Sequence, residues 1–280
     1  MIRKFVSHLT YLNSHLMIVS SPFSTFNFAL SSGNLLQIES SLFIVERWID
    51  TMNFQPSTIN HPMLIINFKN YQESTGSNAI ALARVIDEAA ANAPVDVLIA
   101  VPILDLEAIA KSVKHVKVIA QHVDGVGYGA HTGHILPEEV KKRGAVGTLI
   151  NHSEHPVPRD QLGKLIDLAQ VHFPQYTIVC TPSYESTVDL DNNFDPKKIA
   201  YEPPELIGGD ISVCSAKPDI IRQVVGISHE RQILVGAGIK TLEDIQVSLQ
   251  LGAIGVLVAS GVVKDQDPGA IVRQFLSAWK

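Results

Sequence analysis

Eight short apolar runs constrain what this chain can fold into more than any other feature. They are Met63–Phe68, Val95–Val101, Val116–Ala120, Val146–Ile150, Tyr176–Cys180, Lys198–Tyr201, Gln232–Val235 and Ile254–Ala259. Each is near-continuously apolar rather than alternating, which is the pattern of a strand buried on both faces. Helical patterns stand between them, at Ala79–Ala91, Glu138–Arg143, Gln161–Val171, Pro218–Val225, Thr241–Leu251 and Pro268–Trp279. Thr241 with Asp244 three residues on, and Asp267 before Pro268, are helix-start signals. Strands alternating with helices over residues 63–280 predict an α/β fold, a (β/α)8 barrel at the small end of its range of ~200 to over 400 residues. A doubly wound open sheet is the alternative. It wants a glycine-rich turn after its first strand, and Asn67-Phe68-Lys69-Asn70 is not one.

Residues 1–62 differ. They hold ten Ser, three basic and three acidic residues, with no sustained period. Met1-Ile2-Arg3-Lys4 hints at a signal peptide, but His8, Asn13, Ser14 and His15 interrupt any apolar core. A helix over Ser40–Ile49 would put Leu42, Val45 and Ile49 on one face. The expectation is an N-terminal extension, poorly ordered or not normally translated, with the start of the natural chain at Met52 or Met63. Hydrophobic residues make up 46% of the chain and charged residues 18%, so a substantial core is expected. A net charge of −6 argues against nucleic acid or an anionic membrane as partner. No apolar run reaches the roughly 18 residues of a spanning helix. Cys180 and Cys214 are too few for a disulfide framework or a zinc site, so a reducing cytoplasm is the natural setting.

Polar residues of catalytic type gather at the carboxyl ends of the predicted strands, where ligands sit in such folds. Asn67 and Lys69 follow the first strand, Asn151-His152-Ser153-Glu154 the fourth and Glu202 the sixth. Glu202 precedes two prolines, which forbid an immediate helix, and then Gly208-Gly209, which lets the backbone swing. A fixed carboxylate under a mobile cover suits a general base. Lys69 offers a positive charge to an anion, and a neutral His152 can donate to a carbonyl as charge develops. Gly236, Gly238, Ala259, Ser260 and Gly261 follow the last two strands, where small residues let backbone amides approach a phosphate. His131, His134 and His155 flank the same end, but their spacings make no ligand set, and no metal is expected.

Asn67-Phe68-Lys69, Asn151-His152-Ser153-Glu154, Tyr201-Glu202-Pro203-Pro204-Glu205-Leu206-Ile207-Gly208, Gly236-Ala237-Gly238-Ile239 and Ala259-Ser260-Gly261 together resemble the triosephosphate isomerase family in its shorter, archaeal-type form. Gly129-Ala130-His131-Thr132-Gly133 with Ile135-Leu136-Pro137-Glu138 resembles that form's third loop. The resemblance covers residues 63–280 and implies a TIM-barrel catalytic domain. It implies interconversion of dihydroxyacetone phosphate and D-glyceraldehyde 3-phosphate through an enediolate, without a cofactor. It implies Glu202 as base, His152 as electrophile and Lys69 as the cation. Asn67, Phe68, Ile207, Gly238, Ala259 and Ser260 would bind substrate, with Glu154, Gly208, Gly209 and Gly236 in support. Thr132 would reach a neighbouring subunit of a homodimer or homotetramer. Asp210 departs from the family pattern, placing a charge in the lid. A sugar-phosphate aldolase or synthase would show a mid-strand Schiff-base lysine or an acidic metal pair. An inert phosphate-binding scaffold is the non-enzyme alternative: the intact Lys, His and Glu set argues against it, and Asp210 keeps it open.

Overall fold

The computed structural model describes residues 17–19, 25–29, 35–39, 62–209, 212–227 and 231–280. The helix expected over Ser40–Ile49 lies outside them, as does Asp210. The chain divides into two units, residues 1–59 and 60–280. In the first, β1 (Met17–Val19), β2 (Thr25–Ala29) and β3 (Leu35–Glu39) pair antiparallel in that order.

The second unit is a closed barrel of eight parallel strands. They are β4 (Met63–Asn67), β5 (Asp96–Val101), β6 (Lys117–Ala120), β7 (Gly147–Ile150), β8 (Tyr176–Thr181), β9 (Lys198–Tyr201), β10 (Gln232–Val235) and β11 (Gly255–Val258), with β11 pairing back onto β4. Continuous apolar runs are explained by two cores. Met63, Ile65, Leu98, Ile178 and Leu234 point into the barrel. Leu64, Ile66, Val97, Ile99 and Val179 point out against the helices. Both strand faces are therefore dry, as period-two alternation between two apolar layers requires. Closure brings two backbones together at one glycine: a Cβ on Gly255 would stand 1.9 Å from the Met63 carbonyl oxygen.

Helices α1 (Ser77–Ala89), α2 (Leu106–Ala110), α3 (Pro137–Lys142), α4 (Arg159–His172), α5 (Tyr184–Asn193), α6 (Val213–Ala216), α7 (Pro218–Ile227), α8 (Leu242–Gln250), α9 (Ser260–Val263) and α10 (Pro268–Leu276) connect the strands. On α1, Ala79, Leu82, Ala83 and Ile86 are buried, the i, i+3, i+4, i+7 stripe of a helix on a sheet. At α8 the Thr241 and Asp244 side chains cap each other's backbone, as their spacing predicts. Four helices were not legible in the pattern. In α5 only Thr187 and Leu190 are buried, so Tyr184–Asn193 carries too few apolar residues to show a period. Helices α2, α6 and α9 are a turn or little more. The predicted last helix ends at Leu276, and a 3-10 turn covers Ser277–Trp279.

The two barrel ends differ. At the amino end Asp96 accepts from the Tyr176 hydroxyl at 2.5 Å and pairs with Lys117. Lys198 sits there too, buried, with its pKa lowered to about 8 by desolvation first and by neighbouring Lys197 second. The carboxyl end carries the residues described next.

Candidate active site

Three loops bring three side chains together at the carboxyl mouth. After β4 the chain turns sharply, and Lys69 takes a left-handed backbone with φ 48°. A non-glycine residue there needs outside support. Asn67 supplies part of it, its side-chain oxygen accepting the Lys69 N–H at 3.0 Å. Gln121, at the end of β6, supplies the rest: its amide nitrogen donates to the Lys69 carbonyl at 3.1 Å. The lysine is thereby aimed inward, its ammonium 2.7 Å from Glu154 Oε1 and its side chain 9% exposed.

After β7, Asn151 adopts φ 60°, which Asn tolerates better than most residues. Its side chain fixes the turn by donating to the Cys180 carbonyl at 3.1 Å and accepting the Val157 N–H at 2.9 Å. His152 then points into the mouth. Its Nδ1 accepts the Glu154 N–H at 3.1 Å, so in the neutral ring the proton sits on Nε2. Burial first, and the Lys69 charge second, push its pKa below the ordinary histidine value, which keeps the ring neutral.

Glu202 follows β9, with its N–H bonded to the Thr181 carbonyl at 2.9 Å. Its Oε2 lies 3.6 Å from His152 Nε2. Both atoms are buried, and neither has a hydrogen-bond partner. A facing pair of unsatisfied buried polar atoms is costly unless something uses it. Burial raises the Glu202 pKa to about 7, against the pull of Lys69 and of a hydrogen bond from the Cys180 thiol. Its stem leans on Gly236, where a Cβ would stand 2.6 Å from Glu202 Cγ and Oε1. Gly236→Ala is therefore expected to displace the carboxylate and lower kcat by about 100-fold, since a displacement near 1 Å costs that much at a reacting group. Steady-state kinetics with circular dichroism on the variant checks this; full activity would mean the carboxylate tolerates the shift.

A 3-10 turn, Pro204–Leu206, comes shortly after Glu202, and Ile207 and Gly208 beyond it line a cavity together with Glu202. Lys69, Tyr71, Glu202, Ile207, Gly208, Gly238, Lys240, Ala259 and Ser260 are among the residues lining one cavity. Other expected residues stand elsewhere. Phe68 is fully buried in the layer between strands and helices; its N–H donates to the Ala100 carbonyl at 2.9 Å and its carbonyl accepts from Ser74 Oγ. Gly209 donates its N–H to the Leu206 carbonyl at 3.2 Å and is not among the residues named for that cavity. Glu154 is half exposed at the rim. Thr132 is exposed in the loop between β6 and α3. His131 faces His134, while His155 stacks on His122 with ring centroids 4.2 Å apart. Among the described residues no group of three or more His, Cys, Asp or Glu is placed to hold a metal ion. Tyr71, Gln121, Cys180 and Lys240 were not assigned from sequence. Gln121 stood at a strand end beside His122, which was the one available signal.

A buried imidazole–carboxyl pair at the mouth of a (β/α)8 barrel is made for moving protons within a small substrate, which is the work of the barrel isomerases. The chain belongs to the triosephosphate isomerase family, whose model matches residues 62–275. It is 42% identical over 220 residues to a triosephosphate isomerase of Methanobacterium bryantii, covering 77% of this chain and 96% of that one. Relatives of the same name in Methanoculleus marisnigri and Thermoplasma volcanium are 38% and 42% identical, covering 78% and 73% of this chain and 99% and 94% of theirs.

Proposed function

We propose that this chain interconverts dihydroxyacetone phosphate and D-glyceraldehyde 3-phosphate, a step of glycolysis and gluconeogenesis, with no cofactor. The observation that carries this reading is the facing pair: His152 Nε2 and Glu202 Oε2, buried and unpartnered 3.6 Å apart. A carbonyl and its neighbouring carbon entering there give each atom its partner. Glu202 takes a proton from the carbon beside the carbonyl. His152 Nε2–H donates to the carbonyl oxygen as negative charge develops, and Lys69 faces the resulting enediolate. The proton on Glu202 then returns to the other carbon, and the carbonyl has moved by one position. Asn67 holds Lys69, while Gly238, Ala259 and Ser260 cradle the phosphate. Ile207, Gly208 and Gly209 belong to the lid that excludes water.

A coupled assay with D-glyceraldehyde 3-phosphate tests the activity, on chains beginning at Met1 and at Met63. Equal rates are expected, because residues 63–280 form the catalytic domain on this reading. The pH profile tests the base. Glu202 must be ionised to accept a proton, and its pKa is raised to about 7. So kcat/KM should fall about tenfold per pH unit below that value and level off above it. A plateau extending down to pH 5 would remove Glu202 from the role.

The same reading makes the protein a cytoplasmic homodimer or homotetramer, with Thr132 reaching a neighbouring subunit and no nucleic acid or membrane as partner. Among the described residues no helix is long and apolar enough to cross a membrane. Analytical ultracentrifugation decides the oligomer.

A further inference from the structure

We propose that Lys198 is a modification site, whose side-chain amine takes up carbon dioxide to form a carbamate. The site lies at the amino end of the barrel, opposite the mouth that holds Glu202. On β9, Ala200 points into the barrel, so Lys198, two residues earlier, points there too. The residue is only 8% exposed. Asp96, Lys117 and Tyr176 reach the same layer, each two residues before an inward-facing neighbour: Leu98, Ile119 and Ile178. The ammonium groups of Lys117 and Lys198 stand 5.5 and 6.0 Å from the centroid of the Tyr176 ring.

Partners in this layer are shared unevenly. Asp96 pairs with Lys117 and accepts from the Tyr176 hydroxyl at 2.5 Å. Among the described residues Lys198 has no hydrogen-bond or ion-pair partner, only that ring. A buried ammonium so placed is costly. Desolvation, and then the like charge of Lys197, lower its pKa to about 8. At pH 8 about half of it is therefore the neutral amine, whose lone pair makes it a nucleophile.

Size and charge select the reagent. Burial leaves little room at the nitrogen, which favours a molecule as small as carbon dioxide over a sugar aldehyde or an acyl carrier. A cavity of about 310 Å3 opens beside Asp96 and Lys117, and the Lys117 side chain is 36% exposed, so the layer is within reach of dissolved gas. The amine lone pair attacks the carbon, a C–O π pair moves onto oxygen, and one N–H proton leaves to water. No oxidant or further reagent is needed. The product replaces an unpaired cation by an anion in the layer of Lys117 and next in sequence to Lys197, where charge-assisted bonds become available to it.

The test uses full-length wild type and Lys198→Arg at pH 8 in carbon-13 bicarbonate. Arg keeps the cation and stays protonated, so it forms no carbamate. Triethyloxonium fixes any carbamate as its ethyl ester before digestion and mass spectrometry, and carbon-13 NMR of the intact protein runs alongside. The expected result is a labelled, trapped group on the wild-type peptide holding Lys198, and a carbamate resonance that is largely lost in Lys198→Arg. Label confined to the N-terminal amine or to exposed lysines, or a resonance unchanged in Lys198→Arg, would overturn the proposal. Should the variant fail to fold, trapping on wild type decides alone. Neither readout involves turnover of a triose, so the outcome is separate from that of the isomerase assay.

Discussion

Glu202→Gln should abolish nearly all turnover and yet give a more stable protein above pH 7. The activity loss is expected at ~100- to 10,000-fold in kcat, the usual contribution of a positioned general base. The stability gain comes from the same burial that tunes the base. Burial moves the Glu202 pKa from 4.5 to about 7, so the folded chain binds this proton more tightly than the unfolded one. Below about pH 4.5 the carboxyl is protonated in both states and costs nothing. As pH rises toward 7 and beyond, the unfolded chain ionises freely while the folded chain resists, and stability falls. Gln keeps the shape without the charge. It should therefore recover about 1–3 kcal/mol at pH 8, and little at pH 4. Urea unfolding of both proteins at the two pH values, beside steady-state kinetics, checks both halves. A variant that is inactive and less stable at pH 8 would mean that the carboxylate is held by favourable contacts rather than against its preference.

Lys69→Met should lower kcat/KM by about 100- to 1,000-fold, the cost of removing one preorganised group that faces developing negative charge. It should also move the pH profile. The Lys69 charge pulls the Glu202 pKa down and the His152 pKa down. Without it both rise. The acid limb of the remaining activity should then shift to higher pH, because more alkali is needed to ionise Glu202. A loss of activity with an unmoved limb would place Lys69 too far from Glu202 to act on it.

The barrel was legible because its signal is redundant. Eight buried strands such as Met63–Asn67 must be apolar on both faces, and each repeats the message of the last. Lys69, His152 and Glu202 could be picked out as one group because each stands just past a strand end, and the structure brings them to one mouth. Gly236 and Asn67 could be picked out too, but not the contacts they make there. The bond from Gln121 to the Lys69 carbonyl joins residues 52 apart. The need for Gly236 arises from space taken by Glu202, a neighbour only after β9 and β10 pair. Phe68 shows the reverse error. It stands inside the motif Asn67-Phe68-Lys69, but the alternation of side chains along the chain turns it away from the mouth into the outer core. Such matters depend on register and packing, which a linear pattern does not carry.

The central claim is that one carboxylate, Glu202, carries a proton between two carbons of a triose phosphate. Proton and deuterium NMR of wild type turning over dihydroxyacetone phosphate in D2O, with Glu202→Gln alongside, tests it most directly. A carboxylate that gives up part of its proton to solvent when the lid opens should leave deuterium on the carbon beside the carbonyl, and Glu202→Gln should exchange hardly at all. Undiminished exchange or isomerisation by Glu202→Gln would contradict the account.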